Sequence, residues 1–121
     1  MKGNSGHFTG TLGGTVSSIS SLQNMTPKDL DDNWKDTTNP KAKENGSHRT
    51  TYTNDNTGMV IHFDKGQKGK NGFAGKDHWH VENPNATGAG DAYLDIDGNP
   101  CPKNSKASHI VTKKGSSKDE D

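Results

Sequence analysis

At 121 residues, with 24% hydrophobic content and a mean hydropathy of −1.13, the chain can bury only a thin core, which excludes a second independent domain. Its 15 basic and 15 acidic residues balance to a net charge of zero, which argues against a strongly basic nucleic-acid coat protein and against an acidic tail protein. The single cysteine, Cys101, excludes an intramolecular disulfide and disfavours a cysteine-ligated zinc site.

Composition divides the chain into three parts. Residues 1–24 are rich in Gly, Ser and Thr, and we interpret them as a flexible lead-in. Residues 25–112 are predicted to form the folded domain, and residues 113–121 a disordered polar tail. The chain has no apolar run near the ~20 residues that span a bilayer, and its start lacks the apolar region of a signal peptide. We therefore expect no membrane segment and no signal peptide of its own.

One short helix is predicted near the start of the domain. Thr26 has the character of an N-cap and Pro27 that of a first helical residue, so the pattern predicts a helix that continues to about Trp34. Asn39-Pro40 is predicted to end the helical region, and the charged residues 41–49 to form a loop.

From residue 50 onward the pattern changes to short strands separated by turns. Four or five antiparallel strands are predicted, at residues 50–53, 58–63, 78–82, 92–96 and 108–112. The first two form a hairpin, because four turn-forming residues separate them. One or two N-terminal helices followed by such a sheet define an α+β fold.

The most informative strand is the one that contains His78, Trp79, His80 and Val81. Strand residues alternate between the two faces of a sheet, so the two histidines share one face while Trp79 and Val81 share the other. An unperturbed imidazole titrates near ~6.5 and exchanges protons at neutral pH. This segment therefore indicates acid–base chemistry on one face of the sheet.

Basic and hydroxyl-bearing residues flank this strand in sequence. A loop of lysine and glycine precedes it and carries Lys65, Lys68 and Lys70, which would attract an anionic polymer. Lys76 lies two residues before His78. Further on, residues 105–109 again combine hydroxyl groups, an amine and an imidazole.

The H-x-H-x-x-N-P segment at residues 78–84 and the Ser108-His109 pair carry a resemblance to a known family. Over residues 58–110 the chain resembles the C-terminal toxin domain of bacterial polymorphic toxins of the LXG, Rhs and contact-dependent inhibition types. The resemblance implies a nuclease, most simply an endoribonuclease. It also implies a fold similar to the barnase, EndoU, colicin and RelE-like ribonuclease toxins.

Metal-independent RNA cleavage needs a base for the ribose 2′-hydroxyl, an acid for the leaving 5′-oxygen and a cation near the phosphate. We assign His80 and His109 as the acid–base pair, with His78 beside them. Lys76 is predicted to stabilise the phosphate, and Thr87 or Ser108 to donate a hydrogen bond. The predicted substrate-binding residues are Lys65, Lys68, Lys70, Trp79 and Lys106. No cofactor is expected.

Two alternatives remain open at this point. The first is a metal-dependent nuclease in which His78, His80 and His109 ligate zinc or nickel, with Asp77 or Asp91 nearby. The second is a non-catalytic module in which Trp79, Tyr93 and the lysine loop hold RNA or a protein.

The resemblance also implies partners and a destination. An RNA-cleaving toxin must be blocked in the cell that makes it, so we expect a cognate, acidic immunity protein that covers the lysine loop and the histidine face. We expect the toxin itself to be a monomer, secreted or delivered into the cytoplasm of a target cell as part of a larger protein.

Overall fold

Seven short strands form one antiparallel sheet in the computed structural model of the protein, which describes residues 6–113. The strands are β1 (Trp34–Asp36), β2 (Arg49–Asn54), β3 (Val60–Asp64), β4 (His78–Glu82), β5 (Tyr93–Leu94), β6 (Pro100–Cys101) and β7 (Ile110–Val111). Their spatial order is β1-β2-β3-β4-β5-β6, and β7 also pairs with β4. The predicted α+β class is confirmed, although the sheet has more strands than the four or five predicted.

Helical structure is sparse in the part of the chain that the structure describes. The α-helix α1 spans Pro40–Glu44, and five short 3₁₀ helices span Ser20–Asn24, Pro27–Asp29, Gly72–Gly75, Ala89–Asp91 and Lys106–Ser108. No helix within residues 6–113 is both long enough and apolar enough to cross a membrane.

The predicted helix after Thr26 begins where expected but is shorter than predicted. The Thr26 amide donates to Asp29 Oδ2 at 2.8 Å, yet the helix ends at Asp29. Leu30 is extended, and Trp34 belongs to β1, where its side chain is buried and its indole donates to the Gly13 carbonyl at 3.2 Å. The prediction of a helix to about Trp34 was therefore wrong, because Trp34 is the first residue of a strand and its side chain packs in the core.

The predictions around Asn39-Pro40 and residues 41–49 were also wrong. Asn39 caps the start of α1, since its side-chain oxygen accepts from the Lys41 amide at 2.8 Å. Proline at the first helical position has no amide hydrogen to leave unsatisfied, so Asn39-Pro40 begins a helix here. Arg49, assigned to the loop, is the first residue of β2.

The predicted hairpin and the strand at residues 78–82 are confirmed. β2 and β3 pair in antiparallel register, and the Asn54 side chain closes the turn by accepting from the amides of Asn56 and Thr57. β4 has the predicted bounds. The last two predicted strands are shorter than expected, at β5 and β7.

The N-terminal segment packs in the core, contrary to the prediction of a flexible lead-in. Its buried side chains are Leu12, Val16, Ile19 and Leu22. They pack with the apolar side of the sheet, which is formed by Ile61, Phe63, Trp79, Val81, Leu94 and Ile110. A thin core requires this cover, because one face of a small sheet would otherwise expose its apolar residues. The predicted disordered tail falls outside the described residues beyond Lys113.

Candidate active site

β3 and β4 present ionisable side chains on the face opposite the core. In each strand the residues alternate, with Ile61, Phe63, Trp79 and Val81 in the core and His62, Asp64, His78 and His80 on the other face. The register pairs Asp64 with His78 and His62 with His80. The predicted separation of histidines from Trp79 and Val81 is therefore confirmed.

Three imidazoles converge on this face. His78 and His80 come from β4, and His109 follows the last 3₁₀ helix immediately before β7. Their ring centroids lie 4.6 to 4.9 Å apart, and one nitrogen of each lies within 4.8 Å of the others. Pairing of β7 with the first half of β4 brings His109 to the other two. The two histidine segments identified in the sequence therefore share one site.

A buried carboxylate, Asp64, holds two of these histidines. Asp64 Oδ2 lies 3.1 Å from His78 Nε2 and 3.4 Å from His80 Nε2. Arg49 binds the same carboxylate in bidentate fashion, with Nε 2.6 Å from Oδ1 and Nη2 2.8 Å from Oδ2. Burial alone would raise the pKa of Asp64, but the hydrogen bonds from Arg49, His78 and His80 hold it below its ordinary value. Asp64 is therefore a permanent anion at neutral pH.

Backbone carbonyls orient two of the imidazoles. His78 Nδ1 donates to the Lys76 carbonyl and His109 Nδ1 to the Ser105 carbonyl, each at 2.9 Å. These bonds fix a proton on Nδ1, so a neutral His109 has its lone pair on Nε2. Burial lowers the pKa of both His80 and His109, and therefore favours their neutral forms near pH 7.

Aromatic side chains and cations complete a pocket of about 310 Å³ around the three histidines. Phe73 stacks on His109 with a centroid distance of 4.1 Å, and Tyr93 lies 5.0 Å from His80. Arg49 Nη1 donates to the Tyr93 hydroxyl at 3.3 Å. His48 and Lys103 also line the pocket. The site thus combines proton carriers with positive charge, as anionic substrates require.

The other predicted catalytic residues lie outside this pocket. The Lys76 side chain is exposed and does not line the pocket, although its carbonyl orients His78. Thr87 donates to Asp91 Oδ2 at 2.9 Å in a surface turn. Ser108 is fully buried, and its hydroxyl donates to the Ser105 carbonyl at 2.8 Å.

The predicted substrate-binding residues divide into two groups. Four lysines are exposed and outside the histidine pocket, namely Lys65, Lys68, Lys70 and Lys106. Trp79, in contrast, is fully buried in the core, where its indole donates to the Met25 carbonyl at 3.0 Å. Trp79 is therefore not accessible for stacking on RNA, and that assignment was wrong.

Asp77 and Asp91, which were predicted to lie near a metal in the metal-dependent alternative, instead accept hydrogen bonds from backbone amides. Asp77 Oδ1 accepts from the Gly66 amide at 2.6 Å, and Asp91 accepts from the amides of Thr87 and Gly88. The carboxylate that meets the histidines is Asp64.

Sequence reasoning missed Asp64, Arg49 and Phe73 as site residues. The alternation of His62 and Asp64 with apolar neighbours in β3 was the available signal for Asp64, because it repeats the pattern of β4. Arg49 lies at a strand end inside a charged segment, and Phe73 in a glycine-rich loop, so neither has a comparable local pattern.

In comparisons with known proteins, no family model, no curated protein and no solved structure matches this chain.

Proposed function

We propose that this protein is a small endoribonuclease that cleaves RNA by histidine acid–base catalysis without a metal ion. The observation that carries the proposal is the convergence of His78, His80 and His109 in one pocket beside the Arg49–Asp64 ion pair. A proton acceptor, a proton donor and a fixed cation are the groups that metal-independent RNA cleavage requires.

His109 is the base in this proposal. The neutral ring presents Nε2, because the Ser105 carbonyl holds the proton on Nδ1. It removes the proton of the ribose 2′-hydroxyl, and the 2′-oxygen then forms a bond to phosphorus as the bond from phosphorus to the 5′-oxygen breaks. His109 is also the most exposed of the three rings, as a base that contacts substrate must be.

The acid comes from the pair His78 and His80, which Asp64 holds. His78 Nε2 and His80 Nε2 both lie close to Asp64 Oδ2, at 3.1 and 3.4 Å, and a carboxylate at that distance stabilises an imidazolium. A proton from this pair passes to the leaving 5′-oxygen. Arg49 provides the positive charge that was assigned to Lys76, and Tyr93 a hydroxyl donor, near the phosphorane.

Cleavage in the presence of EDTA tests the absence of a metal. We expect purified protein to cut RNA in EDTA and to leave a 2′,3′-cyclic phosphate and a 5′-hydroxyl, because the attacking oxygen belongs to the substrate. Complete loss of cleavage on chelation, with recovery on adding zinc or nickel, would contradict the proposal.

One observation favours a metal-dependent nuclease as a second candidate. Histidines that ligate metals generally donate their other ring N–H to a carbonyl or carboxylate, as His78 and His109 do here. The three ring nitrogens lie within 4.8 Å of one another, as a three-histidine zinc site would require. Stoichiometric zinc or nickel in the purified protein, together with metal-dependent cleavage, would establish this candidate.

The wider biological setting is part of the same proposal. A fold of the barnase, EndoU, colicin and RelE-like class, a role as a polymorphic-toxin domain delivered into competing bacteria, and action as a monomer follow from the resemblance at residues 58–110. A cognate acidic immunity protein would cover the pocket, and the exposed Lys65, Lys68 and Lys70 offer charge for that contact. An affinity for this immunity protein that decreases as the salt concentration rises would support the contact.

A further inference from the structure

A second pocket adjoins the histidine pocket at the open end of the β2–β3 hairpin, opposite its turn. It has a volume of about 470 Å³. His48 lines both pockets. Its lining includes the side chains of Pro27, His48, Thr50, Phe63 and Lys65.

The backbone explains why the two pockets meet. Arg49 and Asp64 form the last residue pair of the β2–β3 ladder. One residue beyond this pair, the Lys65 amide donates to the His48 carbonyl at 3.0 Å. His48 and Lys65 are therefore cross-strand neighbours one residue beyond the ion pair that holds the catalytic histidines. Alternation directs successive side chains to opposite faces, so the sheet end separates the two pockets and His48 lies at the border.

The chemistry of the second pocket suits one unit of a nucleic-acid strand. Lys65 offers an ammonium group, His48 an imidazole and Thr50 a hydroxyl, all able to bind phosphate or ribose. Pro27 and Phe63 supply an apolar wall for a base. Among the described residues that line this pocket none is acidic, so it contains no carboxylate to repel a phosphate.

We propose that this second pocket is a subsite for the nucleotide next to the cleaved bond in single-stranded RNA. The inference rests on the proposed endoribonuclease activity and adds the substrate class: an oligonucleotide that crosses the border at His48, with a phosphate at Lys65. It also gives Lys65 a specific role that Lys68 and Lys70 lack, since only Lys65 lines the pocket.

Chain-length dependence of cleavage tests the subsite. The substrates are a dinucleotide and two hexanucleotides, each with a single ribonucleotide at which cleavage can occur. In one hexanucleotide the added deoxynucleotides follow the ribonucleotide, and in the other they precede it. In the unmodified protein we expect extension on one side to raise kcat/KM about tenfold, as one bound phosphate and base would. In Lys65→Ala the ratio of extended to dinucleotide kcat/KM should fall to near one.

Lys41→Ala is the matched control, because Lys41 is an exposed lysine in α1 that does not line the pocket, and its ratio should stay as in the unmodified protein. Both lysines are exposed, so circular dichroism should show folded protein in each case. RNA cleavage with no length gain, or with a gain that survives Lys65→Ala, would overturn the subsite and leave the proposed function standing. Failure to cleave any of the RNAs would overturn both.

Discussion

Asp64 is the residue on which the geometry of the histidine pocket depends. Its carboxylate is buried, and its two oxygens contact Arg49, His78 and His80. A buried carboxylate without partners would be strongly unfavourable, so the anion and the guanidinium must be placed together. Asp64 therefore positions His78 and His80, the proposed acid pair, while His109 is positioned separately by the Ser105 carbonyl.

The pH dependence of cleavage follows from the buried imidazoles. Burial lowers the pKa of His109 below its ordinary value of about 6.5, so the proposed base loses its proton at a lower pH than a free imidazole. We expect the acidic limb of the kcat/KM profile to have its midpoint below pH 6.5. A midpoint clearly above pH 6.5 would contradict this assignment.

The same shifts affect stability, which must be measured alongside the rate. His80 and His109 bind protons less readily in the folded state than in the unfolded state, so the free energy of unfolding decreases as pH falls from about 6.5 toward their lowered pKa values. Thermal melts at each pH separate a loss of catalysis from a loss of fold.

At the scale of elements, the segment between β3 and β4 supplies Phe73 to the pocket. This segment folds back on itself, with the Gln67 amide donating to the Ala74 carbonyl at 2.8 Å. Gly75 lies so close to the Lys70 carbonyl that an added Cβ would be 2.1 Å from the oxygen. The close approach of the two halves of this loop requires glycine there.

Gly75→Ala should therefore displace Phe73 from His109 and reduce kcat/KM by about tenfold or more, since small misplacements of catalytic groups are costly. The matched control is Gly88→Ala, because an added Cβ at Gly88 meets nothing within 4 Å. Cleavage assays on both variants check this prediction. Equal activity in the two would show that the loop does not position His109.

A second prediction at this scale concerns the N-terminal segment. Leu12 is fully buried against the sheet, so Leu12→Ala should lower the free energy of unfolding by about 2–5 kcal/mol. Urea denaturation measures the change. Leu30→Ala, at a partly buried position, should cost less. A negligible effect at Leu12 would mean that the lead-in does not contribute to the core.

Sequence patterns predicted the parts of the fold that local rules determine. β4 and the β2–β3 hairpin follow from alternation and turn composition, so both were predictable. The packing of residues 12–22 was not predicted, because the regular spacing of the apolar residues there is weakened as a helix signal by β-branched residues and glycine, and their burial depends on the sheet. His78 and His80 could be predicted as partners from their spacing, whereas Arg49 and Phe73 reach the site only through tertiary structure.

For the molecule as a whole, the division of the sheet into two faces explains how a thin core supports a buried polar site. One face packs against the N-terminal segment, and the other carries a cluster in which Arg49, His78 and His80 all contact the Asp64 carboxylate. Trp79 in the core and His78 and His80 in the pocket are adjacent in one strand. Stability and the proposed chemistry therefore depend on opposite faces of the same strand, β4.

The most direct test of the account is the rate of RNA cleavage by His109→Ala and His80→Ala, compared with His7→Ala. His7 is an exposed histidine that contacts the Asp97 carbonyl and does not line the pocket. We expect each pocket variant to lose about 10²–10⁴-fold in kcat/KM while remaining folded, and His7→Ala to retain the original rate. Retention of full cleavage by folded His109→Ala and His80→Ala would contradict the assignment of the active site.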